Sequence, residues 1–284
     1  MADTITLSAG IQAGKLSAEK FPLRNRSLHL SVEVRENELL ACILDKHSNQ
    51  YIAFCHFPLI ARENSLMDAL KDDFFASSFS GVSVAFTQNS SILVPAAFYK
   101  KERLNDYLSF PQLSSQINET PCSDYIKNLE SYNLYSLNSS CISIINANFP
   151  NATLHHHSSL FIEHTLIQNK GIHDDKVYVT IFGKYIDVIV LQTGKLKLYN
   201  RFYHENSNDF LYYLLWVYEQ LNLAPEKASC TFYGEADIEK LEAAGKYIKT
   251  VTTGKWNDTQ GFSTALNKLT GHKYYTLFAQ YLCI

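Results

Sequence analysis

No stretch of this 284-residue chain is apolar for long: the longest run, Phe210 to Tyr218, is nine residues, whereas a bilayer-spanning helix needs about 20. A transmembrane segment is therefore not expected. Basic residues are not in excess, with 25 Lys and Arg against 28 Asp and Glu and a formal net charge of −3. They form no run that could track a phosphate backbone, so nucleic acid is not the expected partner. The six cysteines, Cys42, Cys55, Cys122, Cys141, Cys230 and Cys283, include no Cys-x-x-Cys pair. Several fall inside apolar runs where Cys behaves as a small buried hydrophobe, which suits a reducing cytoplasm. Met1 to Ile11 carries Asp3 and neither a basic n-region nor an apolar h-region, so no secretory signal is expected. The five Gly-Lys pairs, at Gly14, Gly183, Gly194, Gly245 and Gly254, are followed by Leu, Tyr, Leu, Tyr and Trp. A P-loop needs Ser or Thr there to hold Mg²⁺, so none of them is one. A Gly-x-Ser-x-Gly elbow is also lacking, and no cysteine sits in a recognisable protease context.

What is present is strand-rich. With 46% hydrophobic residues the chain can bury a sizeable core in one large or two modest domains. Lys176 to Phe182, Tyr185 to Leu191 and Lys195 to Tyr203 are three runs of β-branched and aromatic residues separated by two short Gly-containing links, the pattern of an antiparallel meander. A helix over 207–221 and a strand over 229–233 complete a βββαβ unit. Nearer the N-terminus, 28–34, 38–44 and 50–57 form a second meander, followed by a helix over 64–75 with Asn64 as its cap and Leu66, Leu70 and Phe74 at helical spacing. Residues 1–26 read as an extended or partly disordered arm. Short strands are expected at 82–86 and 91–94, a helix at 100–108 ended by Pro111, and a loop over 114–121. Beyond lie a strand at 133–137, a helix at 139–148 closed by Pro150, a strand at 152–157 and a helix at 158–168 with Gly171 past its end. Helices at 236–244 and 258–269, a strand at 247–252 and an apolar tail from Tyr274 finish the chain.

Two βββα units in one chain, the second preceded by a strand-helix-strand-helix segment, resemble the duplicated ribonuclease-H-like fold of the actin-like ATPase superfamily. The element order is most similar to the pilus-assembly and type II secretion actin-like proteins, and it resembles an uncharacterised bacterial family of that fold. The resemblance implies an α/β class with mixed sheets and two lobes built of βββαβα units. It places the arm at 1–26, a first lobe at 27–170 with an insertion at about 80–132, and a second lobe at 171–284. In that superfamily an Asp-x-Gly turn in each lobe serves the nucleotide, the glycine letting backbone N–H groups approach phosphate and the carboxylate organising the metal. Here the matching residues are Ile181-Phe182-Gly183, which keep only the glycine, and Ser31-Val32-Glu33, which keep neither. Tyr233-Gly234-Glu235 retains one glycine of the adenosine-side pair, and His204-Glu205-Asn206 stands where a glycine-rich turn is usual. The resemblance thus implies a relative without ATP turnover and with no catalytic, cofactor or metal residues, acting as a scaffold or interaction module for a protein partner or a second copy of itself. The alternative is a true ATP- and Mg-binding member in which Glu33 and Asp187 substitute for the lost carboxylates, although Asp187 lies mid-strand. A sugar or small-molecule kinase on the same superfold is a weaker third reading, because fold alone does not choose among these.

Two further features stand out. His155-His156-His157, with Glu163 and His164 downstream, offers zinc-binding side chains. On a strand, however, only His155 and His157 share a face, so a half-exposed strand is the simpler reading, and His47 and His56 read as surface or hydrogen-bonded. The run Phe210 to Leu221 is apolar around almost its whole circumference, whereas a helix on a sheet needs only one stripe. The simpler expectation is burial on both sides between the sheet and the other lobe. The sharper one makes Tyr212, Tyr213 and Trp216 part of a partner surface.

Overall fold

Successive residues of a strand point to opposite faces, and in Glu38-Leu-Leu-Ala-Cys-Ile-Leu-Asp45 both sets are apolar. Such a segment is satisfied only inside a sheet covered on both sides. In the computed structural model, which describes residues 14–17, 27–59, 65–88, 90–109, 118–256 and 260–283, Leu39, Ala41 and Ile43 face one core, and Leu40, Cys42 and Leu44 face another.

The first part of the chain runs β1 (Gly14–Ser17), β2 (Leu28–Val34), β3 (Glu38–Asp45), β4 (Gln50–Pro58), α1 (Ser65–Leu70), β5 (Gly81–Phe86), β6 (Ile92–Pro95), α2 (Leu104–Ser109), β7 (Glu119–Ile126), β8 (Ser131–Asn138), α3 (Ser139–Asn148), β9 (Thr153–His156) and α4 (His157–Gln168). The second runs β10 (Lys176–Phe182), β11 (Tyr185–Gln192), β12 (Lys195–Tyr203), α5 (Ser207–Gln220), β13 (Ser229–Gly234), α6 (Ile238–Gly245), β14 (Val251–Thr253), β15 (Gly261–Phe262) and α7 (Tyr275–Ala279).

One sheet has the order β1-β4-β3-β2-β5-β9, with β15 also on β4, and the other β12-β11-β10-β13-β14. Each has an antiparallel meander whose first strand pairs in parallel with the strand after the next helix, β2 with β5 and β10 with β13. The duplication extends to detail. The pairing of the second and third meander strands slips by a residue at Ile43/Leu44 in one sheet and at Val190/Leu191 in the other. A separate antiparallel sheet, β6-β8-β7, follows the first.

Several boundaries differ from the expectation. The loop expected over 114–121 gives way to a strand from Glu119. Pro121 is tolerated because β7 is an edge strand that needs no donor on its outer side. The helix expected at 258–269 is absent among its described residues. Phe262, Leu266 and Leu269 have helical spacing, but Gly261 and Phe262 instead pair with Gln50 and Tyr51 of β4, and only a single turn, Thr264–Leu266, follows. The strand expected at 247–252 is confined to Val251–Thr253. The first-lobe helix is shorter than expected, with Phe74 on a separate turn whose amide is capped by Asp72. Its proposed cap Asn64, like Pro111 and most of the N-terminal arm, lies outside the described residues. Of that arm Gly14–Ser17 pairs antiparallel with β4.

Burial corrects the reading of the apolar helix. α5 buries Phe210, Leu214, Val217 and Tyr218 against the outer face of the second sheet and leaves Tyr212 63% and Trp216 39% exposed. A long helix that is buried all round is instead α4, in which every residue from His157 to Thr165 is buried. The C-terminal segment returns to the first sheet, where Leu266, Leu277 and Phe278 pack on Leu40, Leu44, Tyr51 and Phe54.

Candidate functional site

The β2–β3 turn and the β10–β11 turn are the matching hairpin ends of the two sheets, and they meet through Arg35. Its Nε donates to Glu33 at 2.6 Å, and its Nη1 donates to Glu38 at 2.7 Å and to Glu235 at 3.3 Å. The guanidinium lies 4.8 Å above the Phe182 ring, a cation–π arrangement that suits a planar cation. Burial alone would lower the Arg35 pKa, but Glu33, Glu38 and Glu235 more than offset it and hold the group above its ordinary value. Burial would raise Glu38, yet His56, 2.6 Å away, and Arg35 bring it down to about 2.

Glu235 closes the arrangement. Gly234 has φ +72°, and a Cβ there would stand 2.3 Å from the Ile181 carbonyl, so only glycine lets β13 end this close to β10. The next residue, Glu235, then accepts from the Gly183 amide at 3.2 Å through Oε2, while Oε1 faces Arg35. The glycine amide at the second hairpin turn, the kind of donor that approaches a phosphate, is thus occupied by a carboxylate of the same chain.

The two carboxylates expected to substitute in a nucleotide site are both brought to the layer between the sheets, and both are fully buried and engaged. Glu33 accepts from Arg35 and, at 2.6 Å, from the Thr276 hydroxyl. Asp187 accepts from Arg201 Nε at 2.7 Å and Nη2 at 3.0 Å, a bidentate pair, and lies 3.0 Å from His157 Nε2. Burial would raise Asp187, but Arg201 and His157 hold it well below the carboxylate range, and burial lowers His157. Arg201 also donates to the Thr87 carbonyl at the end of β5, 2.9 Å away, tying the second sheet to the first. Ile181, at the family's aspartate position, points into the core under α5, and it is its neighbour Phe182 that faces Arg35.

The histidine run disperses. His155 lies 3.6 Å from Asp124, His156 caps α4 through its ring nitrogen, and His157 joins Asp187. Glu163 is held by Asn128, through the side chain at 2.6 Å and the backbone at 3.2 Å, and His164 bonds the Tyr275 hydroxyl. Among the described residues no three His, Cys, Asp or Glu are grouped to hold a metal ion. Arg35, Arg201 and Thr276 carry no sequence signal that places them in this layer, and Glu235 is marked only by the glycine before it. Arg35 lies in the short link between the expected strands 28–34 and 38–44 and Thr276 in the apolar tail, and no local pattern marks either.

A family model described as a protein of unknown function, DUF3822, matches residues 19–251. The chain belongs to the DUF3822 family. No curated protein matches this member. Among solved structures, it is similar to a Bacteroides thetaiotaomicron protein of actin-like ATPase fold and unknown function, at 18% identity and TM-score 0.74 over 81% of this chain and 92% of that one. It is also similar to the structure of the PilM–PilN type IV pilus biogenesis complex, at 10% identity and TM-score 0.59 over 92% and 98%. At these identities the likeness establishes the fold: this DUF3822 chain has the actin-like ATPase fold.

Proposed function

We propose that this protein is a cytoplasmic scaffold or protein-interaction module on an actin-like frame and does not turn over ATP. The observation that carries the reading is Glu235, which takes the Gly183 amide and Arg35 together. A nucleotide phosphate entering between the hairpins would meet a carboxylate on that amide and lose the bond it needs there. Glu33 and Asp187 are saturated by arginines and are not free to hold Mg²⁺. For the interaction role, support comes from α5, whose Tyr212 and Trp216 remain exposed while Tyr213 stacks on Phe202 at 4.9 Å. Exposed aromatic clusters mark interfaces. The PilM relative was solved as a complex with PilN, which fits an actin-like frame serving as a binding platform. The cytoplasm suits a chain whose described cysteines are all free thiols.

The test is a thermal denaturation scan with and without millimolar Mg-ATP, ADP and GTP. A ligand at about 100 times its Kd stabilises the native state by about 2.7 kcal/mol, which raises Tm by about 5 °C or more in a protein of this size. We expect no shift. A shift of that size, lost on changing Arg35 or Gly183, would return the protein to the ATP-binding class.

A further inference from the structure

A cavity of about 320 Å³ opens on the inner face of the second sheet, between the C-terminal half of α4 and strands β10, β13 and β14. No member of the Arg35 or Arg201 clusters lines it. Its walls are polar with one sign of charge. Lys176 and Lys255 supply two ammonium groups, and Thr231, Thr252 and Thr253 supply hydroxyls, while no described Asp or Glu lines it. Neither ammonium is ion-paired to a described residue. Lys176 Nζ donates to Asn169 Oδ1 at 3.2 Å, and Tyr178 donates to the same oxygen at 2.6 Å, so that amide holds the lysine and the ring at the cavity wall.

Thr165, on α4, also lines the cavity. It is 1% exposed, and its hydroxyl has no hydrogen-bond partner among the described residues. A buried hydroxyl with no partner is unusual because the lost hydration goes uncompensated. The aromatic part of the wall is Tyr233, with Tyr275 4.1 Å and Tyr178 6.5 Å from it between ring centroids. The volume falls at the small end of ligand pockets, which run from about 300 to 1,000 Å³.

We infer that this cavity binds a small phosphorylated polyol, about the size of a pentose phosphate. Lys176 and Lys255 take the phosphate, the threonine hydroxyls take the ligand's hydroxyl groups, and Tyr233 takes its apolar face. The site is independent of the hairpin cleft and of the absence of ATP turnover.

The experiment is isothermal titration of the full chain with ribose 5-phosphate, with neutral ribose as control. The expected result is saturable binding of ribose 5-phosphate, no heat from ribose, and affinity at least about tenfold weaker in Lys176→Met/Lys255→Met, as loss of charge-assisted bonds predicts. Lys255→Glu, at an exposed position, is the companion variant that leaves the fold undisturbed, and it too should weaken binding about tenfold or more. No saturable heat with ribose 5-phosphate up to ~10 mM, equal binding of ribose, or undiminished affinity in Lys255→Glu would each overturn the inference.

Discussion

Arg35 is the residue on which the contact between the hairpin turns depends. Its partner Glu33 is fully buried, so Arg35→Met leaves a carboxylate buried without its cation. We expect a loss of about 3–5 kcal/mol, read by urea denaturation. Glu235→Gln should cost much less, because Glu235 is 38% exposed and its contact with Arg35 is the longest of the three. Acid should destabilise the protein in two stages. His29 is lowered to about 4 by burial and by Lys46. The folded state therefore binds fewer protons than the unfolded one as pH falls from about 6.5, and stability declines down to about pH 4. Glu38, lowered to about 2, contributes stability that is full above about pH 4.5 and lost as pH falls towards 2. His29→Gln should remove roughly 2 kcal/mol of the loss between pH 7 and pH 5, measured by denaturant titration at both pH values.

At the scale of the element, α4 and α5 exchange the roles their compositions suggest. α5 is the more apolar and lies on the outer face, so its buried and exposed sides should respond differently. Leu214→Ala, with Leu214 fully buried, should cost about 2–5 kcal/mol, while Tyr212→Ala should stay within about 1 kcal/mol, both by thermal or urea unfolding. α4 carries Ser158, Ser159, His157, Glu163 and His164 yet is the central helix. Burial of such residues is tolerable because each finds a partner: Ser159 donates to Asp124 at 2.5 Å, Asn133 Nδ2 donates to both serine hydroxyls at 2.8 Å, and Asn128 binds Glu163. For α4 and α5 the sequence showed the length to within a residue or two, since 3.6-residue periodicity is local. Which helix lies between the sheets was not readable, because periodicity does not say what covers a face.

At the scale of the molecule, the duplicated sheets are joined by more than the chain linking them. Arg201 reaches the Thr87 carbonyl, Thr276 reaches Glu33, Gln280 donates to the Val32 carbonyl at 2.9 Å, and Tyr51 donates to the Phe278 carbonyl at 2.5 Å. The C-terminal segment, last in sequence, completes one face of the first sheet. Fragments divided at residue 170 should therefore not fold apart from each other, because the first would expose Leu40, Leu44, Tyr51 and Phe54 to water. Circular dichroism and size exclusion of 27–170 should show an unfolded or aggregated species, and a monomeric, cooperatively melting fragment would contradict this dependence.

By itself the sequence determined the strands of the two meanders and their order in the chain, and through that order the duplicated fold. Alternation and β-branched runs are set by neighbours a few residues apart, and two similar runs of elements favour the same topology twice. It also determined what is missing, since the aspartates of the phosphate turns are absent at any geometry. Only the tertiary structure decided what stands in the cleft instead. Arg35 and Glu235 meet across 200 residues, and His157 meets Asp187 across a sheet-to-helix contact. Gly261 and Phe262 pair with β4 rather than joining a helix for the same reason. Such pairs are selected by which side chains the packed layers bring within hydrogen-bond reach, and no local pattern of residues encodes that distance.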